Sequence, residues 1–361
     1  MHKDITAFFG EIESVYRSKA PFVAYRKPDE DLLTTFVQRS QELHELKSYK
    51  ESGFVFAPFG VKEKIVLFPI EKCDSFKAGI SKVDLLDNNE INAEKLQFIN
   101  SAESGSLKEK HMVLVQKGID FIKNKKAEKI VLSRKETLEF TNLEVLDIFK
   151  KMLDSYKNAF VYLWFHPEIG LWMGATPEKL LTSFEGNFKT MALAGTQKYN
   201  GTVNVVWQNK EKQEQQYVTD FMLENLKESV ESLDVTAPFT VQAGNLLHIR
   251  TDISGKLKSA DSLENLINIL HPTPAVCGLP KAVAATFIME NEGYDRAYYS
   301  GYLGELNIND STNLFVNLRC MKLENRLVSI YVGGGITADS IPENEWEETV
   351  SKAEVMKKVL L

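Results

Sequence analysis

The 361-residue sequence predicts an α+β protein, with strands in consecutive hairpins and helices gathered between the strand blocks. Two observations carry this expectation. Short apolar runs with tight connections follow one another at "AFVYLWFHP" (159–167), "GLWMGATP" (170–177) and "KLLTSFEG" (179–186). Segments of helical periodicity fall elsewhere, at 104–126, 207–232 and 342–360, and not after each strand as a βαβ chain requires. No repeat, low-complexity segment or Gly/Ser/Pro linker cuts the chain, so a single large domain over 1–361 is expected.

Taken in order, residues 3–18 and 29–50 read as helices. "GFVFAPFG" (53–60) and "KIVLFPI" (64–70) read as strands. A helix at 104–126 leads into the strand "KIVLSRKETLEF" (129–140), and the three hairpin strands follow. Helices are expected at 207–232 and 262–270. "GYLGELNI" (301–308), "NLFVNLRCMKL" (313–323) and "RLVSIYVGGGI" (326–336) form a strand-rich block, closed by a helix that Pro342 starts. Between these lies "HPTPAVCGLPK" (271–281). Its prolines forbid helix, yet Ala275, Val276, Cys277 and Leu279 are apolar, so it reads as a rigid wall around a pocket.

Composition excludes several function classes. A net charge of −7 argues against nucleic acid or an anionic membrane surface as partner. No apolar run approaches the roughly 20 residues that span a bilayer. The acidic N-terminal stretch "MHKDITAFFGEIESVY" lacks the apolar core of an export signal. Cys73, Cys277 and Cys320, odd in number and far apart, suit reduced thiols in a cytoplasm. The six histidines show no zinc-ligand spacing, so any metal is expected on carboxylates.

Five features could carry chemistry. On the last helix, Trp346, Thr349, Val350, Ala353, Met356 and Leu360 form an apolar stripe, with Glu345, Glu348 and Lys352 on the stripe beside it. These charges make either a solvated face or a site beneath the glycine run of "YVGGGI", whose bare backbone suits a tight turn or a closely approaching anion. In "NKEKQEQQYVTDFMLENL" (209–226) the apolar stripe of Tyr217, Val218, Phe221, Met222 and Leu226, extended one turn back, lands on Glu214. That residue either opens a surface helix or joins Glu348 in an oxygen-only site suited to Mg2+. Lys129 is an edge lysine or, if its strand face is buried, a general base whose pKa desolvation lowers. Glu178, where the chain reverses between two strands, is either a solvated loop carboxylate or a catalytic group, and His248, a single histidine among apolar neighbours, reads first as a satisfied core histidine.

"KIVLSR", "GATPEKLL", "ALAGT", "KEKQEQQYVTDFM", "LLHIRTDISG", "HPTPAVCGLP", "DRAYYSGYLG", "VNLRCMKL", "YVGGGI" and "ENEWEET", in this order, resemble the chorismate-utilising enzymes. The resemblance covers most of 104–361, while 1–103 is a diverged N-terminal part with "GFVFAPFG" as its best trace. It implies two packed, mainly antiparallel sheets flanked by helices. It also implies Lys129 as the base that activates water, where amine-adding members carry glutamine. Glu178 becomes the general acid, His248 a histidine near the ring, and Glu214 and Glu348 the Mg2+ carboxylates with Glu345 close by. Gly195, Thr196, Ala275, Tyr299, Arg319, Gly333 and Lys352 become substrate contacts. Ala194 stands where aminodeoxychorismate synthases carry a nucleophilic lysine. "PTPAV" groups the pocket wall with isochorismate synthases, a step toward menaquinone or siderophores, with salicylate synthase as the alternative. A catalytically silent chorismate-binding module is the reading from another class. No glutamine amidotransferase subunit is implied, and the family offers monomers and homodimers.

Overall fold

The computed structural model describes residues 1–60, 62–80, 104–243, 246–259 and 262–360. Two nine-stranded sheets, every ladder antiparallel, form its centre. The first runs in space through Gly278–Leu279, Lys129–Glu139, Leu327–Ile336, Cys320–Glu324, Gly170–Thr176, Phe160–His166, Phe22–Arg26, Leu32–Gln38 and Cys73–Gly79. The second runs through Val230–Val235, Leu246–Leu257, Asn187–Lys198, Lys179–Phe184, Ser311–Val316, Tyr302–Ile308, Gly53–Ala57 and Val66–Pro69, with Phe239–Ala243 also pairing on Leu246–Leu257.

The sheets face each other across an aromatic layer. Tyr25, Tyr162, Trp164 and Trp172 of the first meet Phe54, Phe56, Phe68 and Phe315 of the second. The first sheet's outer face packs on helices Ile5–Arg17, Val145–Ser155 and Pro342–Leu360. The second sheet's outer face packs on Asn209–Leu226 and Ser262–Leu270. Helices Ser104–Lys123 and Lys281–Asn291 cover the end of the first sheet around Ile130 and Leu132. The expected α+β class, with two packed antiparallel sheets flanked by helices, is what the structure shows. Residues 1–80 supply strands to both sheets. Among the described residues no helix is long and apolar enough to cross a membrane.

Two of the local departures fall in strands buried on both faces. The segment 29–50, expected as a helix, contains the strand Leu32–Gln38. Its apolar pairs Leu32–Leu33 and Phe36–Val37 mimic a helical period, while β-branched Thr34, Thr35 and Val37 favour the strand. Phe22–Arg26, buried at every position, shows no alternation from which a strand can be read. The helix expected over 207–232 ends at Leu226, and the chain resumes as the strand Val230–Val235.

The run expected as one strand over 313–323 is two. Ser311–Val316 belongs to the second sheet and Cys320–Glu324 to the first, and the chain crosses between them at Asn317–Arg319. A second crossing runs the other way, from Gly170–Thr176 through Pro177 and Glu178 into Lys179–Phe184. The crossings are bonded to each other. Thr176 Oγ1 donates to the Val316 carbonyl at 2.6 Å, and Val316 N donates to the Glu178 carbonyl at 2.9 Å. Buried Asn317 secures the turn, donating to Tyr298 O at 2.8 Å and accepting from the Tyr162 hydroxyl at 2.6 Å.

Candidate active site

An open cavity of about 820 Å³ lies where the crossings meet the glycine strand. Glu178, His248, Gly195, Thr196, Ala275, Tyr299, Arg319, Gly333, Lys352, Glu214 and Glu348 all line it. Of the expected site residues, only Lys129 and Glu345 do not. Lys129 is fully buried and reaches the cavity through Glu214, whose Oε1 lies 2.9 Å from its Nζ.

The proline-rich segment is the wall that the sequence suggested, since Ala275 and Val276 line the cavity. At its start, the His271 ring donates through Nε2 to Pro58 O at 2.9 Å, inside the N-terminal "GFVFAPFG". At its end, Gly278–Leu279 joins the first sheet beside Ile130 and Lys129, flanked by bonds from Val131 N to Cys277 O and from Glu128 N to Leu279 O, both 2.8 Å. Gly278 has φ +139°, and a Cβ there would stand 2.3 Å from the Lys129 carbonyl oxygen, so no other residue fits.

His248 is locked in one form. Its Nδ1 lies 2.8 Å from the Gly195 carbonyl, which only accepts, and its Nε2 lies 3.2 Å from an Arg319 nitrogen, which only donates. The ring is therefore neutral with its proton on Nδ1. Burial, reinforced by the Arg319 charge, lowers its pKa to about 3. Gly195 has φ +71° and sits at a bulge where the ladder to Leu246–Leu257 breaks between Ala194 and Gln197, which frees its carbonyl for the histidine. Burial lowers the Arg319 guanidinium to about 10, so it remains a cation at neutral pH. It stands at the sheet crossing with φ +47°. Burial pushes the Glu178 carboxyl up to about 7, against the pull of Lys129, Arg319 and Lys352.

Three carboxylates converge beneath the glycine run, each carrying its own lysine. Glu214 pairs with Lys129. Glu348 accepts from Lys352 at 2.7 Å, and Lys352 also donates to Gly333 O at 2.9 Å. Glu345 pairs with Lys210. Burial alone would raise the Glu214 carboxyl, but Lys129, Lys210 and Lys352 together hold it below its ordinary value. The sequence set Glu345 beside the buried stripe. In the helix it lies on that stripe, 1 % exposed, and its Oε2 has no hydrogen-bond partner. Burial raises the Glu345 carboxyl, opposed by Lys210 and reinforced by Glu348.

The glycines make room for these groups. A Cβ at Gly334 would lie 3.4 Å from Glu345 Oε2 and 3.6 Å from Glu348 Oε1, and one at Gly335 would lie 2.3 Å from Glu214 Oε1. Among the described residues no three such side chains already stand at metal-binding positions. The oxygen-only donors and the orphaned Glu345 oxygen nevertheless fit a hard divalent cation that brings its own waters. Gly335→Ala is expected to keep the fold at a cost of about 1–3 kcal/mol. It should also displace Glu214 and lower turnover at least about tenfold, read from a thermal melt and steady-state rates.

Lys210 was missed by the sequence reading. It stands four residues before Glu214 on one helix face, a spacing that offers the signal. Burial alone would lower its ammonium, but Glu345, Glu348 and Glu214 together raise it.

A family profile described as chorismate binding enzyme matches residues 67–361. The chain belongs to the chorismate-binding enzyme family. Over 199 residues it is 32% identical to the isochorismate synthase EntC of Escherichia coli strain K12, covering 53% of this chain and 51% of that protein. The chain thus spans about half the length of that relative. It shares its fold with the putative 2,3-dihydroxybenzoate-specific isochorismate synthase DhbC of Bacillus anthracis. The TM-score is 0.77 at 23% identity, over 96% of this chain and 99% of that one. Menaquinone-specific isochorismate synthase MenF of Escherichia coli superposes with a TM-score of 0.78 at 20% identity, over 94% and 89% of the two chains.

Proposed function

We propose that the protein converts chorismate to isochorismate with Mg2+ as cofactor. One observation carries the reading. A carboxyl poised to be protonated near neutral pH, Glu178, lines the same cavity as Glu214, which a fully buried lysine contacts from the adjacent strand. Water addition with loss of a hydroxyl needs this pair of opposed groups.

Lys129 takes a proton from water as its oxygen bonds to C2 of the ring. The ring double bonds shift, the C4–oxygen bond breaks, and Glu178 gives its proton to the departing hydroxyl, so water enters and water leaves. Arg319 presents a planar guanidinium to a substrate carboxylate, and neutral His248 holds that guanidinium through Nε2. Tyr299, whose phenol burial keeps protonated, offers a hydroxyl to the ring substituents. Glu214 and Glu348, with Glu345 close by, would hold Mg2+, which when bound neutralises the ring carboxylate and draws electron density from the diene.

Incubation of pure protein with chorismate and Mg2+, followed by chromatography, tests this. Isochorismate without pyruvate is expected, and its formation should stop with EDTA or in Glu348→Gln. Stoichiometric salicylate and pyruvate would replace the reading with salicylate synthase. Binding without turnover would leave a chorismate-binding module, and full turnover in EDTA would remove the metal.

A further inference from the structure

We propose that Arg296, clamped to Glu292, is a positioning residue that fixes the proline-rich wall against the strand bearing Lys129. This rests on the water-addition reading above. The two side chains form an ion pair 2 % and 1 % exposed, with Arg296 Nε donating to Glu292 Oε2 at 2.8 Å. The guanidinium has donors left over. Nη1 donates to Val276 O at 2.9 Å and Nη2 to Val131 O at 2.8 Å. Val276 belongs to the wall and Val131 to the base-bearing strand, two residues from Lys129, and both line the cavity.

Glu292 grips the same strand one step further on, accepting from Ser133 N at 2.7 Å and Ser133 Oγ at 2.8 Å. Tyr294 adds its hydroxyl to Ser133 Oγ at 2.6 Å. The guanidinium lies 4.4 Å over the Phe59 ring, which brings in the N-terminal part. The wall and the strand are thus held twice, by their own ladder at Gly278–Leu279 and by one planar cation that accepts no substitute of different shape.

A buried ion pair contributes little net stability, because desolvation consumes most of the attraction. Apolar side chains would seal this position as well. What they would not supply is a fixed separation between two backbone carbonyls, one on the wall and one on the strand that bears Lys129. A displacement of about 1 Å at a reacting group costs about 100-fold in rate, so the clamp acts on turnover and not on ligand capture.

The test is Arg296→Lys in the full chain. Lysine retains a cation for Glu292 but offers no planar fork to reach both carbonyls. A folded variant is expected, with kcat for isochorismate down by about tenfold or more and KM for chorismate within about threefold. If this variant does not fold, Ser133→Ala removes one anchor without removing a charge, and the same split is expected at about threefold in kcat. An unchanged kcat in a folded variant, or a change confined to melting temperature, overturns the clamp and leaves the function standing. Failure of the unaltered protein to make isochorismate overturns both together.

Discussion

Replacing Lys129 with alanine is expected to lower kcat for isochorismate formation by about 10²- to 10⁴-fold. Chorismate affinity should change only a few-fold. The reason is geometric. Lys129 is not among the cavity-lining residues and stands behind Glu214 and Gly335, so chorismate itself is expected to lose little contact when the amine goes. What goes is the group proposed to remove the proton from water. Alanine also leaves Glu214 without its nearest cation, and Lys129→Gln separates the two effects by keeping a polar atom beside that carboxylate. Single-turnover rates with titrating-calorimetry affinities at saturating Mg2+ measure both quantities. Near-normal turnover in both variants would take Lys129 out of the mechanism.

Glu178→Gln is expected to lose about 10²- to 10⁴-fold in kcat while making the protein more stable above neutral pH. Burial holds the folded carboxyl at about 7, against an ordinary value of 4.5. The folded state therefore keeps a proton that the unfolded chain releases, and stability falls as pH rises from about 4.5 to 7. Above pH 7 the folded protein carries a buried carboxylate at a cost of about 3 kcal/mol. Glutamine has no such charge. Its melting temperature should exceed the parent's by a few degrees at about pH 8 and match it at about pH 5. The parent's kcat/KM should fall as pH rises through 7, because the acid must be protonated to act. A pH-independent stability difference would mean that Glu178 is not the titrating group.

Part of the candidate site was legible because its residues interrupt local patterns, while Arg319, Tyr299, Lys352 and Gly195 came only from the family resemblance. Three glycines on a strand, a carboxylate heading an apolar stripe and prolines among apolar residues each break the rule for their element. Each break marks a place where backbone or charge meets the cavity. What was not legible depends on partners distant in sequence. Lys210 pairs with Glu345, 135 residues away, a contact that its spacing to Glu214 alone does not announce. Arg296 reads as any arginine until Val131 and Val276 stand on either side of it. The fold shows the same division. Apolar runs bounded by turn residues were readable although buried almost throughout, as at Phe160–His166 and Gly170–Thr176, whereas Phe22–Arg26 and Leu32–Gln38, equally covered, were not. At 313–323 the period of two continues straight through the crossing, so nothing local shows that the chain changes sheets.

Those crossings have a thermodynamic consequence. Glu178 and Arg319 are handed from sheet to sheet at adjacent, mutually bonded points, and Lys129 and Gly333 enter from the first sheet beside them. The cavity therefore exists only while both sheets and their seam are intact, and no partly unfolded form with one sheet retains half of it. A ligand bound there discriminates between the complete fold and everything else, so its binding free energy adds to the stability of the whole molecule and not of one region. The supply of any ligand that fills the cavity is then also a determinant of how much of the chain is folded.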